Sequence, residues 1–314
     1  MKEDLKLIDI QLTDLLESKI PGVKKWIHVT SPTDKEIEVI SKLTSFSEQD
    51  LKAPLDEEER ARIEKEDDKL TILFDIPMME EEEGNYYSYT TIPLGVFIKD
   101  EYFVTISLKE SILIKDFIMG RVKGFDINKR TRFVFQLLYY TSKKYLNYLK
   151  QIDRASKRIQ NELHKSTRNK ELIQLLDLEN SLVYFSTSLM SNDLVISKLA
   201  NSSVYLKKYE EDQDLLEDVA IENKQAIEMC NIYKDILGGT MDAFASVISN
   251  NQNIVIKLLT IVTLIISIPS MIAAFYGMNV DDIPLKSVKG AFWIIATISC
   301  LLSAIVGFLL FKKK

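Results

Sequence analysis

The chain has 314 residues and a net charge of −6, with a sequence pI near 5.3. Without a basic stripe, that balance excludes a nucleic-acid binder, and the only two cysteines, Cys230 and Cys300, imply no disulfide framework. The opening MKEDLKLIDI is acidic and amphipathic without an apolar core, so it does not read as a secretory signal.

The first part reads as a mixed α/β domain. Trp26–Thr30 is a strand, and Ser31-Pro32-Thr33-Asp34 with Glu36 turns into a capped helix. Asp56–Asp68 is densely charged and carries no assigned element. Four strands follow at Lys69–Ile76, Tyr86–Thr91, Gly95–Ile98 and Tyr102–Ser107, punctuated by Pro77, Gly84-Asn85, Pro93 and Lys99-Asp100. A sheet covered by helices is the expected architecture.

From about Asn128 the pattern is helical. One helix places Leu146, Leu149, Ile152, Ile159 and Leu163 on a stripe, Ser166–Asn169 turns, and a second runs through Leu172, Leu175, Leu176, Leu182 and Leu189. A third begins near Val204 and continues through Val219, Ile227, Cys230, Leu237, Phe244 and Ile248, with Gly238-Gly239 and Pro269 as weak points.

The chain ends in two uncharged apolar runs, Leu258–Asn279 and Ala291–Phe311, joined by a short loop. Each is long enough to cross a ~30 Å hydrocarbon core at ~1.5 Å per helical residue. They read as a transmembrane hairpin with a Lys312-Lys313-Lys314 tail on the cytoplasmic side. Both termini are then cytoplasmic and the protein sits in the plasma (inner) membrane, although Lys286 and Lys289 in the loop weaken the charge asymmetry. The polar residues of this part form one seam. Ser246, Ser249, Asn253, Thr260, Thr263, Ser267 and Ser270 follow steps of three and four, with Ile256 filling the gap. Such a seam faces protein or water rather than lipid, as a pore lining or as helix–helix glue.

The seam closes on Tyr276-Gly277-Met278-Asn279. A Gly-Met-Asn preceded by Tyr, ending the first of two C-terminal spans after a long helix, resembles the CorA family of magnesium channels. SNNQNIVIKLLT at Ser249–Thr260 resembles the end of that family's stalk helix, and WIHVTSPTDKEI an early family segment. The resemblance implies a homo-oligomer, pentameric, passing Mg2+ and also Co2+ or Ni2+, with Mg2+ both transported and regulatory. It divides the chain into an α/β domain (1–127), an antiparallel helical arm (128–203), a stalk (204–257), a pore-lining span (258–279), an external loop (280–290), a second span (291–311) and a basic tail (312–314). One seam on one hairpin cannot enclose a pore, so oligomerisation is also a physical requirement; the number five is not.

By the same resemblance Gly277, Met278 and Asn279 form the selectivity ring. Asn279 offers its amide oxygen, Gly277 its carbonyl at a backbone turn, and Met278 packs the turn; a helix C-cap at a membrane surface is the plainer alternative. Thr260, Thr263, Ser267 and Ser270 line the pore. Ile256 and Leu259 form an apolar gate or a coiled-coil contact, with Asn253 below them. Ser267 stands where the family often carries a bulky apolar residue. Lys257 with Lys312, Lys313 and Lys314 forms a basic collar or a simple membrane anchor. Asp218 matches the family's regulatory aspartate, with Glu80 its partner across the subunit boundary and Glu81–Glu83 as alternatives; Asp242 concentrates cations.

Where the family usually has Met-Pro-Glu, this chain has Asp282-Ile283-Pro284-Leu285, with Asp281 and Asp282 as substitute cation attractors. That departure keeps a Zn2+ transporter of the same superfamily open, and a membrane-anchored coiled-coil sensor is the reading from another class. An enzyme is not expected. His28 and His164 have no zinc-like spacing and read as packing or surface residues, and the chain has no phosphate loop, G-x-S-x-G or dinucleotide fingerprint.

Overall fold

The computed structural model describes residues 25–82, 86–165, 169–207, 209–279, 283–285 and 288–312. Up to Gly239 the chain forms one compact unit, and from Thr240 a second.

In the first unit β1 (Lys25–Thr30), β2 (Arg62–Glu66), β3 (Lys69–Glu82), β4 (Tyr86–Lys99) and β5 (Tyr102–Ser107) make one sheet in the order β1-β5-β4-β3-β2. Only β1–β5 is parallel. The strand alternation feeds two cores. Leu70, Ile72, Phe74 and Ile76 of β3, with Ile92, Leu94, Val96 and Ile98 of β4, face one; Leu73 and Phe97 face the other. α1 (Asp34–Thr44) and α2 (Glu48–Lys52) cover the second core with Ile37, Ile40 and Leu51. The expected cap of α1 is present as a capping box: the Thr33 N–H donates to Glu36 Oε2 at 2.7 Å and the Glu36 N–H to Thr33 Oγ1 at 3.4 Å.

The first core is covered by α3 (Ile112–Ile118), α4 (Arg130–Lys165), α5 (Asn169–Asn201) and the start of α6 (Gln213–Tyr276). Phe133, Leu137, Val195, Ile196, Leu216 and Val219 share this core with the strands, so the helical arm and the sheet belong to one unit. The expected stripe of α4 is buried from Leu146 to Leu163, and on α5 Leu175, Leu182 and Leu189 are buried while Leu176 is exposed.

Three expectations change. The charged stretch contains β2, whose Arg62 bonds Glu59 and Glu64, so an edge strand is charged rather than absent. The helix expected near Val204 starts at Gln213, after a 3-10 turn at Glu210–Asp212 where Asp212, 2 % exposed, takes Arg132 at 3.0 Å. Pro77 and Pro93 do not end strands, because β3 and β4 run through both.

The proline result follows from register. The Asp75 N–H donates to Asn192 Oδ1 at 2.8 Å, away from β4, so the nitrogen of Pro77 two residues on also points away from β4. β2 pairing has already ended at Arg62–Leu73, and no ladder bond is lost there. Pro93 lies opposite Asp75, with its nitrogen on the β5 side, and β5 pairing begins only at Leu94.

The second unit holds the rest of α6 and α7 (Ala291–Lys312). α6 runs unbroken through Gly238-Gly239 and Pro269. Among the described residues two helices, Glu210–Tyr276 and Ala291–Lys312, are long and apolar enough to cross a membrane, and their apolar stretches are only 6 % and 17 % buried.

Candidate functional site

The buried residues of α7 are Ser299, Ser303 and Gly307, one turn apart on one face. A side chain at Gly307 would meet Ile265 Cδ1 of α6 at 2.9 Å, so the backbone of α7 approaches α6 closely there. On α6, Ile261 is buried and Ile265, Ile268, Ile272 and Tyr276 are half-buried. At about 100° per residue these positions lie opposite the seam of Ile256, Thr260, Thr263, Ser267 and Ser270. All five seam residues are exposed, as are Asn253 and Leu259 beside them. The packing face and the polar face of α6 are therefore separate. The Ser299-x3-Ser303-x3-Gly307 stripe was missed at the level of sequence, although small residues every fourth position in an apolar helix signal close helix packing.

The hydroxyls on the seam share one geometry. Thr260 donates to the Ile256 carbonyl at 2.8 Å, Thr263 to Leu259 at 2.8 Å, Ser267 to Thr263 at 2.7 Å and Ser270 to Ile266 at 2.9 Å. Each proton is spent within the helix, which leaves the oxygen lone pairs as acceptors on the exposed side.

α6 ends at Tyr276. The Gly277 N–H donates to the Ala273 carbonyl at 2.9 Å and the Met278 N–H to Phe275 at 3.3 Å, a helical continuation that tightens. The chain turns at Gly277 and bends at Met278, and Gly277 does so outside the left-handed region, unlike Gly290 at φ 89°. Gly277, Met278 and Asn279 are exposed beyond the helix end. Lys257 is exposed about 100° from the seam, and Lys312 ends α7. Lys313, Lys314, Asp281, Asp282, Lys286 and Glu83 lie outside the described residues.

The carboxylates expected to be regulatory belong to the first unit. Asp218 is exposed on α6. Glu80, on β3, accepts from Lys109 Nζ at 2.7 Å, and Lys109 also reaches Glu57 at 3.3 Å. Among the described residues no group of three or more His, Cys, Asp or Glu is placed to hold a metal within one chain. His28 is a packing residue: its ring nitrogens meet Thr105 Oγ1 at 2.9 Å and Thr30 Oγ1 at 3.1 Å, and burial lowers its pKa to about 4. The side chain of His164 lies outside the described residues.

A second buried carboxyl, Asp75, drew no attention in the sequence. Its backbone is held by Asn192 on both sides, the carbonyl also accepts from Tyr145 Oη at 3.2 Å, and burial raises its carboxyl pKa to about 6 against an opposing bond from Ser188.

Comparison with known proteins agrees with this layout from strand to hairpin. The family described as CorA-like Mg2+ transporter protein matches residues 22–313. The cobalt/magnesium transport protein CorA of Methanocaldococcus jannaschii is 30 % identical over 279 residues, 86 % of this chain and 84 % of that protein. The complete structure of the CorA magnesium transporter from the same organism superposes with a TM-score of 0.74 at 27 % identity, covering 90 % of this chain and 89 % of that one. The full-length CmaX protein shares the fold, with a TM-score of 0.66 at 17 % identity over 94 % of this chain and 90 % of that one. The sheet unit, the long helix and the apolar hairpin are those of a transporter, and the chain belongs to the CorA-like Mg2+ transporter family.

Proposed function

We propose that the chain forms a homo-oligomeric channel, pentameric as in the family it resembles, that carries Mg2+, and also Co2+ or Ni2+, into the cell down the membrane potential. Both termini face the cytoplasm in this reading, and the seam of α6 lines the ion path. The observation that carries it is the acceptor-only polarity of that seam. Mg2+ gives up its water reluctantly and travels with a shell whose hydrogens point outward. A wall of hydroxyls whose protons are already bonded to backbone carbonyls presents oxygens to that shell and no competing donor. Asn279, at the outer end of the same helix, adds an amide oxygen where the ion enters, with the Gly277 carbonyl beside it and Met278 packing the bend. Ile256 and Leu259 close the path by excluding water, above Asn253. Lys257 and Lys312, with Lys313 and Lys314, sit at the cytoplasmic interface as a collar around the mouth.

Regulation follows from the carboxylates. Glu80 and the neighbouring copy's Asp218 repel when brought together, and Mg2+ bridging them holds the closed state, which depletion releases. Because Glu80 is already paired with Lys109, the metal competes with that lysine.

Mg2+ uptake into proteoliposomes at an inside-negative potential, wild type against Asn279→Ala, tests the reading. Wild-type uptake that the substitution abolishes, or opens to other cations, is the expected result. A folded oligomer with no uptake at low Mg2+ supports the membrane-anchored sensor instead, and uptake of Zn2+ in preference to Mg2+ selects the Zn2+ alternative.

A further inference from the structure

α5 carries an exposed stripe that nothing among the described residues of its own chain explains. Ile173, Leu176, Val183, Met190 and Leu194, with Asn180 and Thr187 between them, follow steps of three and four. The apolar members are 46–64 % exposed. The outer face of a surface helix ordinarily carries charge, and this one carries none over 22 residues, a length of ~33 Å. The chain's own α6 is already packed against a different face of α5. Cys230 Sγ donates to the Leu182 carbonyl at 3.2 Å, Asn223 Nδ2 to the Leu189 carbonyl at 3.3 Å, and Ser186 Oγ to Asn231 Oδ1 at 3.4 Å. α5 thus has two seams, one filled and one open.

The open seam has the spacing that receives another helix rather than a flat surface. Its ends are basic, with Lys170 and Lys198 both exposed. At the Lys198 end the stripe runs into a cavity of ≈ 420 Å³, where Leu194 and Tyr205 form an apolar wall beside Arg62 and Lys198. The same chain displays the complement. The exposed face of α6 between Asp214 and Ile236 carries Ile221, Ile232 and Ile236 at 54–56 % exposure, interspersed with the acids Glu217, Asp218 and Glu228 and the exposed cation Lys224. Two different and complementary patches on one chain are what a closed ring of copies requires.

We propose that the exposed stripe of α5 is the seat of a neighbouring copy's α6, taken along its acidic, isoleucine-bearing segment between Asp214 and Ile236. This rests on the oligomeric reading above and adds the surface that the first unit contributes to it. A single-helix seat ~33 Å long and about 10 Å wide covers about 330 Å², less than the ~800 Å² per partner of a stable complex, so it works together with the membrane hairpin rather than alone.

The test uses the full chain in lipid nanodiscs with Cys300→Ala as background; Cys230 is buried and its thiol is pushed up to about 12, so it does not react. Val183→Cys and, as an exposed control, Glu58→Cys are labelled with a sulfonated maleimide, while native mass spectrometry reads the oligomer. The expected result is labelling of Val183→Cys slower than the control by roughly tenfold or more in the oligomer, and equal labelling in dissociated monomer. Val183→Glu with Leu194→Glu then lowers the oligomer fraction. Equal labelling within an oligomer that still takes up Mg2+ overturns the seat and leaves the channel standing. Slow labelling that persists in the monomer assigns the cover to the chain itself and also overturns it. A wild type that is monomeric and takes up no Mg2+ removes the channel reading, and the seat with it.

Discussion

The two compact units obey opposite burial rules. In the sheet unit the buried side chains are mostly large and apolar, such as Phe74, Phe97, Phe103 and Phe133, and the Asp75 backbone within the core is held by Asn192. In the hairpin unit the buried residues of α7 are Ser299, Ser303 and Gly307, while Phe292, Trp293, Phe308 and Leu309 are 59–72 % exposed. Water drives the first arrangement. The second makes physical sense only against hydrocarbon, where apolar surface costs nothing and small residues let helices approach. Polar side chains confined to one exposed seam of α6 are then the exception to explain, and the aqueous ion path proposed above accounts for them.

The comparison can be broken first at Asn279. Asn279→Ala removes the amide oxygen from every copy at once, and Mg2+ uptake is expected to fall on the order of tenfold or more, the equivalent of about 1.4 kcal/mol, with the thermal midpoint of the sheet unit unmoved. A matching loss of folded protein would instead make Asn279 a structural cap.

Next come two buried groups of the sheet unit whose pH dependences oppose each other. The Asp75 carboxyl is raised to about 6, so its ionised form costs stability above that pH, and stability is regained as pH falls from about 6 towards 3.8. His28 is lowered from 6.5 to about 4, so stability is full above pH 6.5 and is lost as pH falls towards 4. Each shift corresponds to about 3 kcal/mol at most. Between pH 6 and 4 the two offset, and unfolding midpoints should be nearly flat. Asp75→Asn should stabilise at pH 7.5 by about 2 kcal/mol and leave a steep acid loss, and His28→Gln should reverse the slope. Parallel pH profiles for all three proteins would refute the assignment.

An effect of about 1–3 kcal/mol is expected for Gly307→Leu, which drives a side chain into Ile265. Hairpin packing, read as heat stability in detergent, should drop while the isolated sheet-unit signals persist. Smallest is Lys109→Ala. Freeing Glu80 from its cation should move half-inhibition by cytoplasmic Mg2+ to a lower concentration by a few-fold, about 0.5–1 kcal/mol as for a half-exposed ion pair. An unchanged midpoint would remove Glu80 from the regulatory site.

The hairpin was legible in the sequence because its signals are local: uncharged runs, a three-four seam and a basic end. The strand positions were legible for the same reason, through alternation of β-branched and aromatic residues, although the expected Tyr86–Thr91 and Gly95–Ile98 are one strand, β4. What escaped reading depended on neighbours. Pro77 and Pro93 look like strand breaks until register shows their nitrogens pointing where no strand is paired. Arg62–Glu66 looks like a solvated loop until β3 lies beside it. Leu176 fits a core stripe by spacing, yet it is exposed because the stripe on α5 is doubled and only one side is filled within the chain. At the candidate site the sequence located Asn279 and the hydroxyls of the seam, but the direction of each hydroxyl proton, on which the acceptor argument rests, belongs to three-dimensional geometry.

The most direct test of the central claim compares two faces of α6 in working protein. In a Cys300→Ala background, Thr263→Cys on the seam and Val262→Cys, exposed about 120° away from it, are treated with a positively charged thiosulfonate during Mg2+ uptake into proteoliposomes. Rapid block at Thr263→Cys, relieved by reduction, with Val262→Cys unaffected, is the predicted result. Block at Val262→Cys with Thr263→Cys untouched would contradict a path along the hydroxyl seam.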